Sequence, residues 1–158
     1  MSVERIIEIS ACLFSILLLV IFVPKNRCRE AWLIFLFKQT TTWLLGLWVV
    51  QYELIEYPVR MLANATRTSV AFEYVVYPSL CVLFNLYFPT EKSILKKFLH
   101  YAVFCSGITV IEVVLEIYTA LIRYSHWSWY WTWITLFITF YISRKFYLWF
   151  FKGWVSAA

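Results

Sequence analysis

Long apolar runs, broken by short charged clusters, divide the chain into five segments: 6–23, 31–52, 69–88, 98–122 and 127–143. Each is near the about 20 residues that a helix needs to cross ~30 Å of hydrocarbon. Pro24 ends the first and Pro89 the third. The second is expected to continue as helix to about Tyr57, ahead of Pro58, and the fifth to Phe151. Inside the segments, polar residues recur every three or four positions, the spacing of one helix face. Gln39, Thr42, Gly46, Val49, Glu53, Glu56 and Arg60 do so in the second. Ser69, Glu73, Tyr77, Cys81 and Asn85 follow the same rule in the third, and Cys105, Thr109, Glu112, Glu116, Thr119 and Arg123 in the fourth. Ser128, Thr132, Thr135, Thr139 and Ser143 line the fifth, while the first offers Glu8, Cys12 and Ser15. Hydrocarbon supplies no hydrogen-bond partners, so these faces turn inward. The pattern predicts an all-α bundle of five transmembrane helices in a single domain, 1–158.

Composition narrows the class further. Apolar residues are 63% and charged residues 15%, against about 45–50% and about 25% in soluble domains. A disordered chain, a disulfide scaffold and a soluble enzyme are excluded. The net charge of +5 is gathered in clusters between apolar runs, which is a topology signal and not a nucleic-acid footprint. Lys25, Arg27, Arg29, Lys92, Lys96, Lys97, Arg144, Lys145 and Lys152 fall on one side of the bundle, and Arg5, Arg60, Arg67 and Arg123 on the other. Cytoplasmic loops carry the excess, which places the N-terminus outside and the C-terminus in the cytoplasm. The aromatic run 127–133 then sits at the outer headgroups, and Tyr147, Trp149 and Trp154 at the inner ones, as expected of interfacial belts. The first segment reads as a retained helix rather than a signal peptide, because Glu4 and Glu8 outnumber Arg5 ahead of it. Cys12, Cys28, Cys81 and Cys105 form no C-x-x-C pair, so neither a disulfide nor a metal site is expected.

Ionisable residues within the spans need a reason, since a charge at the bilayer centre costs at least ~2.5–3.5 kcal/mol on insertion scales. Two lie deep. By helix rise, Lys38 and Glu112 differ in height by about 10 Å, so they pair only if the helices tilt; otherwise Lys38 snorkels to the cytoplasmic headgroups. Toward the outer side, Glu53, Glu56, Arg60, Glu73, Glu112, Glu116, Arg123 and His126 converge. This cluster is either a buried salt-bridge network that fixes helix ends or an externally open site for a cation or a proton. Pro78 frees the carbonyl of Tyr74 and is expected to kink the third helix one turn from Glu73, which makes the surroundings of Glu73 the best place for such a site.

No H-E-x-x-H, G-x-S-x-G or P-loop is present. His126 beside Trp127 reads as a belt residue before it reads as an acid or base. No catalytic residue, enzyme activity, nucleotide or other cofactor is expected.

Three stretches carry a resemblance: Leu54-Ile55-Glu56-Tyr57-Pro58-Val59-Arg60, Phe72-Glu73-Tyr74-Val75-Val76-Tyr77-Pro78 and Tyr124-Ser125-His126-Trp127-Ser128-Trp129-Tyr130-Trp131. The chain resembles an uncharacterised family of small polytopic membrane proteins from spore-forming Firmicutes. The resemblance implies a bacterial cell or spore membrane and supplies no mechanism. Two functions follow from the whole. One is a non-enzymatic accessory or structural membrane component, which the resemblance links to sporulation, with membrane lipids and a second copy or another membrane protein as partners. The other is a cation or proton conduit or carrier that uses the outer carboxylates.

Overall fold

A computed structural model describes residues 2–155, with side chains to residue 151. It is all-α, with five helices: α1 Val3–Phe22, α2 Cys28–Gln51, α3 Tyr77–Leu86, α4 Ile94–Tyr118 and α5 Trp129–Val155. Three helical stretches, Val3–Phe22, Lys25–Gln51 and Ile94–Tyr118, are long and apolar enough to cross a membrane. A π-helical segment, Ala71–Val76, leads into α3. Its cause lies in Pro78, which has no N–H to donate. In an α-helix that donor would serve Tyr74, and in a π-helix Glu73. Both carbonyls are instead met by α2: Gln39 Nε2 donates to Tyr74 O (3.1 Å), and Thr42 Oγ1, whose one hydrogen is shared with Lys38 O (2.8 Å), lies 2.9 Å from Glu73 O. The polar stripe of α2 thus satisfies the backbone that the proline left open.

The π-segment and α3 form the centre, with α1, α2 and α5 packed on them and α4 against α5. The core gathers around Phe84, which is fully buried among Phe88, His100, Tyr101, Phe104 and Phe140. At the inner end, Arg144 Nη1 donates to Asn85 O (3.3 Å) and Arg27 Nη1 to Leu86 O (2.9 Å). Two cations therefore meet the negative end of α3, where the last carbonyls have no helical partner. Arg27 is held in turn by Glu30 Oε2 at 2.7 Å.

Two helices stop earlier than the hydrophobic pattern suggests. The second ends at Gln51 and does not reach Tyr57. Glu53 adopts φ 54°, its N–H bonds to Val50 O (3.1 Å), and that of Leu54 bonds to Val49 O (3.0 Å). This is a Schellman closure, with a glutamate where glycine is usual. The fourth ends at Tyr118, so Thr119 and Arg123 leave the helical stripe. The chain freed by these endings pairs antiparallel: β1 (Ile55–Glu56) lies on β2 (Arg123–Tyr124), with Ile55 opposite Tyr124. The paired loops form a cover over the outer end of the bundle.

Left-handed backbone costs a non-glycine residue about 1–2 kcal/mol, and the Glu53 side chain is exposed. Glu53→Gly is expected to raise stability by roughly 1 kcal/mol, read as a higher thermal midpoint in detergent.

Candidate functional site

Beneath that cover lies a cavity of about 120 Å³ that both Glu73 and Glu112 line. Thr42 and Gly46 of α2 border it on one side, Thr132, Thr135 and Thr139 of α5 on another, and Ile55, Tyr57 and Trp127 close its outer end. The α5 residues are the hydroxyl stripe of the fifth segment. No basic side chain is among the lining residues. Its volume suffices for several waters or for a small cation with part of its hydration shell.

The two carboxylates differ in kind. Glu112, buried on α4, accepts three hydroxyl hydrogen bonds: from Tyr77 (2.8 Å), Tyr124 (2.7 Å) and Thr132 (2.8 Å). Thr132 is itself oriented by Trp127 Nε1 at 2.8 Å. Three donors of this sort satisfy a carboxylate as an anion. Glu73 stands in the π-segment at 2% exposure, and neither of its oxygens makes a well-formed hydrogen bond among the described residues; the neighbouring Thr68 hydroxyl lies 3.0 Å from Thr66 Oγ1 instead. It lies flat against α2 at Gly46, where a β-carbon would fall 2.1 Å from its Oε1. A larger residue at 46 would require the Glu73 carboxylate to move. A buried acid without donors is stable when it carries a proton or meets a cation.

Lys38 is completely buried and does not snorkel. Its Nζ donates to Thr139 Oγ1 (2.5 Å) and lies 4.6 Å from the centre of the Phe140 ring. Eight residues separate it from Gly46 on α2, which is about 12 Å of helix rise. It is not ion-paired with Glu112. Thr139 both holds Lys38 and lines the cavity, whereas Lys38 itself is not among the lining residues.

The remaining sequence-derived candidates fall outside the cavity. Glu56 and Arg123 face each other across the strands at 3.9 Å and are exposed, an arrangement worth little in free energy. Arg60 holds the outer loop, donating to Tyr57 O (2.7 Å), Thr66 O (2.7 Å) and Ala63 O (3.3 Å). Glu53 and His126 are exposed and meet only where His126 Nδ1 lies 3.5 Å from Glu53 O. Glu116, one turn outward from Glu112, is partly buried and not among the lining residues. Among the described residues the ion pairs are Arg27–Glu30 and Arg123–Glu56, so the expected buried salt-bridge network is not what the outer acids form. Arg60 is drawn instead to loop carbonyls.

Three contributors were not singled out by the sequence. Tyr77 is a member of the third segment's stripe and Tyr124 only the start of a family-like stretch, yet both hold Glu112. Glu8, a lone acid in the first segment, is fully buried, with Oε1 accepting from the Met61 N–H at 3.3 Å and Oε2 unpartnered. The signal was present in its membrane depth. The loop that reaches it was not visible. Among the described residues no group of three or more His, Cys, Asp or Glu converges as a metal centre would require.

The chain matches no family model, no curated protein and no solved structure.

Glycine to alanine on an open helix face stabilises by about 1 kcal/mol. Gly107, with nothing within 4 Å of a β-carbon, is expected to behave so. Gly46→Ala is expected to lower stability by roughly 1–3 kcal/mol, and Glu73→Ala to relieve part of that loss in the double variant. Thermal unfolding of the four proteins in detergent measures the coupling.

Proposed function

We propose that the chain is a non-enzymatic, multi-pass membrane protein that binds and exchanges a proton or a monovalent cation at the Glu73–Glu112 cavity. The observation that carries this is Glu73: a carboxylate buried at 2% exposure, unpartnered, and lining a mostly apolar cavity that a second acid also lines. Burying such a group without compensation costs several kcal/mol, so an occupant of positive charge is the natural complement. Two carboxylates and a set of hydroxyls form a hard oxygen site, and with no third acid it suits a proton or monovalent ion better than a divalent one. Glu112 is the member held in place by three hydroxyls. Glu73 is the member that exchanges.

In this proposal all five helices span the bilayer, with the N-terminus outside and the C-terminus in the cytoplasm, as the lysine and arginine bias directs. The cavity then lies in the outer half, and the fully buried Phe84 and Phe140 close the inner half. That closure favours a carrier or a binding site over an open channel. It also favours the second reading, an accessory or structural component that binds a membrane protein partner or another copy through its helix faces. The three family-like stretches support a bacterial cell or spore membrane as its location.

Purified protein in liposomes tests the proposal directly. A proton or potassium or sodium gradient is expected to dissipate with wild type, and at least tenfold more slowly with Glu73→Gln or Glu112→Gln at unchanged fold. No flux with wild type removes the carrier and leaves the accessory component. Reporter fusions test the orientation: a C-terminal fluorescent protein is expected to be active in the cytoplasm, and a C-terminal phosphatase that needs export is expected to be inactive.

A further inference from the structure

A second site lies on the other side of the molecule, and its argument needs only the membrane setting, not the carboxylate cavity. Helices joined by a short turn usually pack on each other. Here α1 and α2 are joined through residues 23–27, yet α1 rests on the π-segment and α3, α2 rests on α3, and the two scarcely touch. Between them runs a groove of about 430 Å³, more than three times the carboxylate cavity. Its walls are Leu19 and Val20 of α1 and Trp32 and Phe35 of α2, and its floor is Val82 of α3. Such a groove cannot stay empty in a bilayer, because its walls would lose their dispersion contacts.

Charge at the mouth says what enters. Lys25 lines the groove where the two helices meet and is exposed, with Arg29 one helical turn away and also exposed. Arg27, between them in sequence, is turned inward and spent on Glu30, Leu86 O and the Tyr147 hydroxyl. The groove mouth thus keeps one cation, Lys25, without an ion-pair partner among the described residues, on the side assigned to the cytoplasm, where the leaflet is anionic. We infer that the α1–α2 groove is a binding site for one anionic phospholipid, its acyl chain lying over Val82 and its phosphate on Lys25.

Native mass spectrometry of the detergent-purified full chain with added phosphatidylglycerol or phosphatidylcholine tests this. Phosphatidylglycerol is expected to be retained about fivefold more than phosphatidylcholine, the share of one basic side chain at an anionic surface. Lys25→Gln, at an exposed position where folding is not at stake, is expected to erase the preference and leave chain binding. Val20→Trp, which fills the groove from a lipid-facing position, is expected to abolish retention of both lipids while the protein still elutes as one species. Equal retention of both lipids by wild type overturns the inference, as does binding unaffected by both variants. A dimer that Val20→Trp dissociates also overturns it, by making a second copy the occupant.

Discussion

One missing hydrogen-bond donor organises this protein. Pro78 stands fully buried inside the central helical stretch, so the carbonyls it leaves open need partners from the protein. The chain answers with a π-segment before the proline and with Gln39 and Thr42 from α2. Those two bonds clamp α2 against the third helix and set the register between them. Register in turn decides that Gly46 lies opposite Glu73, so that the carboxylate can lie against the α2 backbone. The cavity, its unpartnered acid and the central place of α3 are consequences of that clamp.

Polar groups in this core are distributed by height. At the outer end, hydroxyls from α3, β2 and α5 converge on Glu112. At mid-depth, Lys38 is held by a single threonine and an aromatic face. At the inner end, Arg27 and Arg144 cap α3, while Asn85 Nδ2 and Cys81 Sγ both donate to Ser143 Oγ. Arg27 is paired with Glu30, but the deep groups Glu73, Glu112, Lys38 and Arg144 make no ion pair with one another among the described residues. A buried ion pair gains little net stability against its desolvation cost. Separated groups, each with its own neutral donors or acceptors, stay available to a ligand, and this is the condition a carrier or a binding site requires.

Much of the bundle was legible because hydrocarbon imposes a simple rule. Segment length, prolines at the segment ends and the three-to-four spacing of polar residues place the helices to within a few positions. The α5 stripe from Thr132 to Ser143 does line or bond the core, and the α2 stripe does face α3. The pattern misplaced the ends of α2 and α4. Apolar and polar spacing continues past Gln51 and Tyr118, but the Schellman closure at Glu53 and the pairing of β1 with β2 outweigh local helix preference. Neither leaves a mark in periodicity, since Glu53 is not the glycine that usually signals such an ending.

What the sequence by itself determined is a helical membrane-type chain with acids gathered in one half, since helix length and polar spacing are local properties that each segment carries alone. Only the tertiary structure separated those acids into roles. Eight candidate residues shared the outer level, and depth along a helix could not say which would face the same space. Packing assigned Glu73 and Glu112 to one cavity, sent Arg60 to loop carbonyls and left Glu53, Glu56, Arg123 and His126 exposed. It also brought in Tyr124 and Glu8 through loops whose path no periodicity encodes. The physical reason is that rotation and register between helices depend on which partners fill each gap, and that is decided by the whole bundle at once.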